Sequence, residues 1–260
     1  MDAHRRSAAQ DERDLGDLID AAQRLQPTRG FQSSLEANGL SVIAEIKRRS
    51  PSKGDLSPDL DPTAVAAEYE AGGASAISVL TDHEHFGGSE GDLQAARLGT
   101  SLPVLRKDFT VDLRDVADAR LMGADAVLLI AAVLDTEELG RFHDLATDLG
   151  LDALVEVHDE AELESALEVG ATLIGVNQRD LVTFEVDTGR ALRMAAGIPS
   201  GITAVAESGV RDSVDAALLA SAGYDAVLVG ESTVTSLDRS SAVRSLSGHT
   251  VGPRHRGARA

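Results

Sequence analysis

Along the chain, short and wholly apolar runs alternate with longer stretches in which apolar residues recur every three or four positions. The clearest mark is a phrase that returns four times. Gly73-Ala74-Ser75-Ala76 precedes the apolar run Ile77 to Leu80, and Gly123-Ala124-Asp125-Ala126 precedes Val127 to Ile130. Gly170-Ala171-Thr172 precedes Leu173 to Val176, and Gly223-Tyr224-Asp225-Ala226 precedes Val227 to Val229. Each phrase reads as a helix ended by a glycine in the left-handed conformation. The strand that follows is apolar on both faces, as in a parallel sheet covered on both sides.

Four further apolar runs lie between these: Val42 to Lys47, Pro103 to Lys107, Ala153 to Val157 and Ile202 to Glu207. Interleaved, they predict eight strands. The gaps predict helices over 61–71, 112–122, 135–149, 159–169 and 212–222, each opening on an aspartate suited to cap the first turn. Eight strand–helix units in about 220 residues predict an α/β fold of the (β/α)8 TIM-barrel type. The alternative is a doubly wound open sheet. That fold usually carries a glycine-rich fingerprint after its first strand, and Glu45-Ile46-Lys47-Arg48 is unlike one. Helical patterns over 14–25 and 31–38 form an N-terminal helical extension that either plugs the bottom of the barrel or adds to its rim. A single domain is expected over 1–246. The tail 247–260, rich in Gly, Pro and Arg, is expected to be disordered.

Composition sets the surroundings. Acidic residues number 43 against 24 basic, a formal charge of −19. Such a field repels phosphate backbones and anionic membranes, so neither nucleic acid nor a membrane surface is an expected partner. The absence of cysteine removes disulfides, thiolate metal sites and thiol nucleophiles. With no apolar run long enough to span a bilayer and no signal-peptide core near the start, a cytoplasmic location is expected. The acidic, lysine-poor composition suits a protein of a high-salt cytosol, an ordinary acidic protein being the alternative.

The lysines sharpen this picture. Of the 24 basic residues only three are lysine: Lys47, Lys53 and Lys107. Arginine can replace a surface lysine, but not one that must give up a proton. Lys47 and Lys107 stand at inferred strand ends, and Lys53 in the loop after the first strand. In a (β/α)8 barrel the C-terminal strand ends carry the active site. Those ends here supply Glu45 and Lys47, Lys107 with Asp108 and Phe109, Glu156, Asn177 with Arg179, and Glu207 with Ser208. Glu45 and Lys47 are two apart and point the same way, into the barrel. Charges on apolar strands are costly unless paired or used. Purely structural rim pairs are the plainer reading of Glu45–Lys47 and of Lys107–Asp108. After the seventh and eighth strands, Ser208-Gly209 and Gly230-Glu231-Ser232 suit a phosphate, which backbone N–H groups would hold. His83-Glu84-His85 resembles a metal motif but shows no third ligand, so no metal is expected. His158 is read as rim lining.

These residues resemble a known family. Ile43 to Gly54 (IAEIKRRSPSKG) is similar to the first-strand signature of the indole-3-glycerol phosphate synthases. The similarity continues in family order through Leu80-Thr81-Asp82, Phe86-Gly87-Gly88-Ser89 and Leu105-Arg106-Lys107-Asp108-Phe109. It goes on through Glu156-Val157-His158, Gly175 to Leu181, Ala206 to Val210 and Val229 to Ser232. The resemblance implies a ring closure in tryptophan biosynthesis. The substrate, 1-(2-carboxyphenylamino)-1-deoxyribulose 5-phosphate, loses carbon dioxide and water to give indole-3-glycerol phosphate, with no cofactor. It implies Lys107 as general acid, Glu156 as the acid–base of dehydration, and Glu45–Lys47 as an orienting pair. Asn177 would hold a substrate hydroxyl, with Glu207 and Ser208 completing the polar wall. Phe86, Phe109 and Leu181 would pack the aromatic ring. Lys47, Ser50, Lys53, Arg179, Gly209, Gly230, Glu231 (through its backbone) and Ser232 would surround the anionic groups. His85-Phe86 stands where relatives often carry two aromatics, and Thr233-Val234-Thr235 where they often carry Leu-Met. A monomer is expected, with association among pathway enzymes left open. The competing readings are another phosphate-binding barrel, such as the isomerase of the preceding step, and a non-enzymatic scaffold.

Overall fold

The computed structural model describes residues 2–36, 38–180 and 183–254. Eight parallel strands close into a barrel: β1 Ser41–Ile46, β2 Ala76–Leu80, β3 Val104–Lys107, β4 Ala126–Ile130, β5 Asp152–Val157, β6 Leu173–Asn177, β7 Thr203–Glu207 and β8 Ala226–Val229. Closure comes from β1 pairing with β8, Ser41 against Ala226 through Ala44 against Val229. The five aspartate-capped helices all form, and Asp61, Asp112, Asp135, Asp159 and Asp212 each accept a backbone N–H of their own first turn. The four repeated glycines, Gly73, Gly123, Gly170 and Gly223, all have positive φ, between 79° and 98°. The repeated phrase is therefore one structural device used four times.

Alternation along the strands splits the apolar residues into two sets. Outward residues such as Val42, Ala44, Val79, Val127, Val155, Ile174 and Val227 pack under the helices. Inward residues Ile43, Ala76, Leu105, Ala126, Leu154, Leu173, Val205 and Ala226 fill the lower barrel. The short helix Phe31–Ser34 plugs the bottom, with Phe31 and Leu35 fully buried in that inner cluster. Its approach is fixed where Arg29 N donates to Asp125 Oδ1 and Gln32 N to Asp152 Oδ2. Of the two placements open for the extension, this segment takes the bottom, while the helix Leu15–Gln23 lies against the helix Leu113–Leu121 on the barrel's flank.

Two features depart from the sequence reading. A helix over Asp2–Ala8 reaches the opposite, upper rim, where Arg5 pairs with Glu138 at 2.9 Å and donates to Val133 O. No apolar period marks it, because polar contacts hold it in place. The tail expected to be disordered from 247 is hydrogen-bonded over its first part. Gly248 N donates to Leu40 O, Leu40 N to His249 O, and Arg254 pairs with Asp225 at 3.0 Å. These bonds occupy backbone groups at the foot of the barrel that would otherwise be left open. Residues 255–260 lie outside the described residues. No described helix is long and apolar enough to cross a membrane.

Candidate active site

The inward register that fills the lower barrel with apolar side chains continues upward into charged ones. On β1 the residue two beyond Ile43 is Glu45, on β3 the one beyond Leu105 is Lys107, and on β5 the one beyond Leu154 is Glu156. On β7 the residue two beyond Val205 is Glu207. These residues border a cavity of about 910 Å³ at the C-terminal mouth of the barrel.

Lys107 is the hub. Its Nζ stands 2.9 Å from Glu156 Oε2 and 3.5 Å from Glu207 Oε2. Both carboxylates are 1% exposed. Asn177 Nδ2 donates to the other oxygen of Glu156 at 3.0 Å, and Asn177 Oδ1 accepts the Arg179 N–H. Burial by itself would lower the Lys107 pKa, but Glu156, Glu207 and Glu45 together hold it above its ordinary value. Burial would likewise raise Glu156, yet the charges of Lys107 and His158 and the Asn177 hydrogen bond bring it below its usual range. Glu207 goes the other way. Burial first, then repulsion from Glu156 and Glu45, outweigh Lys107 and push it up to about 8. At neutral pH the cluster therefore holds an ammonium, one carboxylate and one protonated carboxyl. Two carboxyl groups whose environments drive their pKa values apart are the mark of an acid–base site.

Across the barrel, Lys47 Nζ meets Glu45 Oε1 at 2.6 Å. Room for that pair comes from Gly230. A side chain there would begin 2.3 Å from Glu45 Oε1 and 3.1 Å from Lys47 Nζ. Gly175 does the same for Glu207, since a Cβ would lie 2.0 Å from Glu207 Oε1. From sequence, Gly230 is expected at the phosphate and Gly175 has no expected role. The structural signal for both is the absence of a side chain beside a buried carboxylate, within β6 for Gly175 and just past the end of β8 for Gly230.

The loops complete the wall. Ser208 has φ 64° and Gly209 φ 76°, a left-handed pair at the end of β7, and Gln178 Nε2 holds it by donating to Ser208 O at 2.8 Å. Left-handed backbone at a non-glycine residue is uncommon, and such strain gathers at functional sites. Ser232 Oγ donates to Val210 O at 3.2 Å, joining the loops after β7 and β8. The Glu231 carboxylate, half exposed, faces Lys53 Nζ at 3.5 Å. Arg179 reaches Phe184 O at 2.9 Å and Ser52 Oγ at 3.4 Å, linking the loop after β6 to the loop after β1. Ser50, Phe86 and Phe109 line the same cavity. Leu181 lies outside the described residues.

Two participants escaped the sequence reading in their present roles. His158, read as rim lining, has Nε2 3.5 Å from Glu156 Oε1, while its Nδ1 meets Glu162 at 3.0 Å. Its i, i+2 spacing from Glu156 was the available signal. His4 stacks on Phe109 with ring centroids 4.9 Å apart. Nothing in sequence could pair residues so far apart.

The family model described as indole-3-glycerol phosphate synthase matches residues 3–246 of this chain. The chain belongs to the indole-3-glycerol phosphate synthase family. An indole-3-glycerol phosphate synthase of Chlorobium phaeovibrioides is 49% identical over 230 residues, covering 88% of each chain. One from a Nocardioides species is 50% identical over 234 residues, covering 90% of each. Indole-3-glycerol phosphate synthase 1 of Streptomyces coelicolor is 49% identical, covering 89% of this chain and 86% of its own. Among solved structures, a thiamine phosphate pyrophosphorylase from Pyrococcus furiosus superimposes with a TM-score of 0.60 at 19% identity, over 80% of this chain and 93% of that one. That likeness shows the shared barrel alone. As an indole-3-glycerol phosphate synthase family member, this chain is a carboxy-lyase of tryptophan biosynthesis, and the competing readings of preceding-step isomerase and scaffold fall away.

Proposed function

We propose that the chain closes the indole ring of 1-(2-carboxyphenylamino)-1-deoxyribulose 5-phosphate with Lys107 as the proton donor. The observation that carries this reading is the position of Lys107, charged and partly buried, between the buried Glu156 and Glu207. As the aromatic carbon bearing the carboxylate attacks the ketone, negative charge grows on the ketone oxygen. The Lys107 ammonium protonates it. The carboxylate then leaves as carbon dioxide, and its bonding electrons restore the aromatic ring. Dehydration needs a base for a proton of the ring carbon next to the nitrogen and an acid for the departing hydroxyl, and the new carbon–carbon double bond completes the indole with its N–H retained. Glu156 is ionised and serves as acid–base, its orientation set by Asn177, which also offers its amide to a substrate hydroxyl. Glu207 holds a proton close by and completes the polar wall with Ser208.

Glu45 and Lys47 orient the substrate, with Lys47 the cation that faces its anionic groups. Ser208 to Arg211 and Gly230 to Ser232 supply backbone N–H groups to the phosphate. Ser50, Lys53 and Arg179 close over the anionic side, and Phe86 and Phe109 pack the aromatic ring. The same reading takes the chain as a cytoplasmic monomer that acts on a phosphorylated small molecule. The test is direct. Purified protein supplied with this substrate should produce indole fluorescence. A folded preparation that binds the substrate without turnover would overturn the reading.

A further inference from the structure

The pair of histidines in His83-Glu84-His85 gains a third member only in three dimensions. The helix Asp2–Ala8 brings His4 to the loop after β2, 78 residues away in sequence, where His4 Nε2 lies 2.9 Å from Asp82 Oδ2. On the other side of the same carboxylate, His85 Nδ1 lies 3.1 Å from Asp82 Oδ1. One ligand atom from each of the three residues falls within 4.8 Å of the other two. His83, which the sequence pattern favoured as the partner of His85, does not take part.

We propose that His4, Asp82 and His85 form a binding site for a divalent cation of the zinc type. Two imidazoles and one carboxylate suit zinc rather than magnesium or calcium, which prefer all-oxygen shells. Bonds of about 2.0–2.1 Å in a tetrahedral shell place ligand atoms roughly 3.3 Å apart. Each imidazole nitrogen already stands near that distance from one oxygen of Asp82, though from different ones, and the three ligand atoms lie within 4.8 Å of one another, so an ion would draw the side chains together to close the shell. The rings are also held in place. Phe109 packs against His4 with centroids 4.9 Å apart and against His85 at 5.9 Å, and the two imidazoles stack at 6.0 Å. Asp82 is 6% exposed and fixed by its cap on the helix His83–Phe86. Three ligands leave a fourth position for water.

The ion has a structural consequence. The helix Asp2–Ala8 is otherwise tied to the rim by Arg5 with Glu138 and by Arg114 Nη2 donating to Ala8 O. A cation shared by His4 and the loop after β2 fastens the helix to the Phe109 side of the cavity. The fold does not need the ion, because the barrel core is built without these residues.

The experiment uses the full chain, produced without a histidine tag and freed of metal with a chelator. Titration with Co2+, followed by visible absorption, and with Zn2+, followed by calorimetry, should show one saturable ion per chain with a tetrahedral cobalt spectrum. His4→Ala and His85→Ala should each weaken binding tenfold or more. Zinc should slow tryptic cleavage after Arg5 and Arg6 in the parent chain and not in His4→Ala. His4 sits on a terminal helix, so this variant should keep the parent's circular dichroism and Tm. No saturable binding up to millimolar zinc would overturn the proposal. So would stoichiometric binding unchanged in His4→Ala and His85→Ala, which would assign the ion to surface carboxylates.

Discussion

The Lys107 ammonium lies 2.9 Å from the Glu156 carboxylate, although the two residues are 49 apart in sequence and arrive on strands separated by β4. The ammonium keeps its charge beside the ionised Glu156, while burial pushes Glu207 towards its protonated form. That division of charge underlies the first two predictions.

Replacing Lys107 with Ala or Arg should lower kcat by about 10²–10⁴-fold, the usual contribution of a general acid. Arginine should fail like alanine because its guanidinium stays protonated. The measurement is indole fluorescence under saturating substrate, with circular dichroism to confirm an intact barrel. Near-parental turnover in Lys107→Arg would remove the proton-donor role.

Glu207 gives a pH signature. Its pKa of about 8 in the folded chain stands above the ordinary value of 4.5, so the folded state binds its proton more tightly than the unfolded state. Its contribution to stability is complete below about pH 4.5 and is lost progressively as the pH rises towards 8. Glu156, lowered below 4.5, acts in the opposite sense and loses its contribution as the pH falls through its folded value. Glu207→Gln should therefore flatten the decline in urea stability between about pH 4.5 and 8, relative to the parent. Parallel profiles for the two proteins would contradict a proton on Glu207.

Gly175→Ala should act on Glu207 without touching substrate. The new Cβ would start 2.0 Å from Glu207 Oε1, so the carboxyl must swing away from Lys107. Misplacing a catalytic group by an ångström costs about 10²-fold. The loss should fall on kcat, and Gly175→Ala combined with Glu207→Ala should be no worse than Glu207→Ala alone. An additive loss in the double variant would show that Gly175 acts elsewhere.

Lys47→Met removes the partner of Glu45, a carboxylate only 5% exposed. Leaving one member of a buried pair uncompensated should cost about 3 kcal/mol. The double change Glu45→Gln with Lys47→Met should recover much of that loss in a urea titration. Failure of the double variant to recover stability would mean that Lys47 stabilises through packing instead.

The charge of −19 predicts a salt dependence. Raising ionic strength from 0.1 M to 1 M shortens the screening length from about 10 Å to about 3 Å. Like-charge repulsion across the surface should weaken, and Tm should rise. A Tm independent of salt over this range would remove the case for a high-salt cytosol.

The barrel was legible because its information is local. Each of the four glycine phrases encodes a helix stop and a strand start within a few residues, and eight strand–helix units leave few ways to close. Strand ends carrying Lys107, Glu156 and Glu207 were legible for a related reason, since charged residues on apolar strands must be used or paired. The upper-rim helix and the ordered 247–254 segment were not legible. Both are held by hydrogen bonds and ion pairs to distant residues, and such contacts leave no period in the chain.

By itself, then, the sequence determined the strand–helix order, the inward side of the first strand and the inventory of charged strand ends. Only the tertiary structure decided which of those groups touch. It placed Glu207 beside Glu156 and so kept one carboxyl protonated. It used Gly175 and Gly230 as space for carboxylates, and it brought His4 to Asp82 and His85. The physical reason is that periodicity reports the environment of one residue at a time, whereas a pKa or a ligand set depends on distances between residues that only the closed barrel fixes.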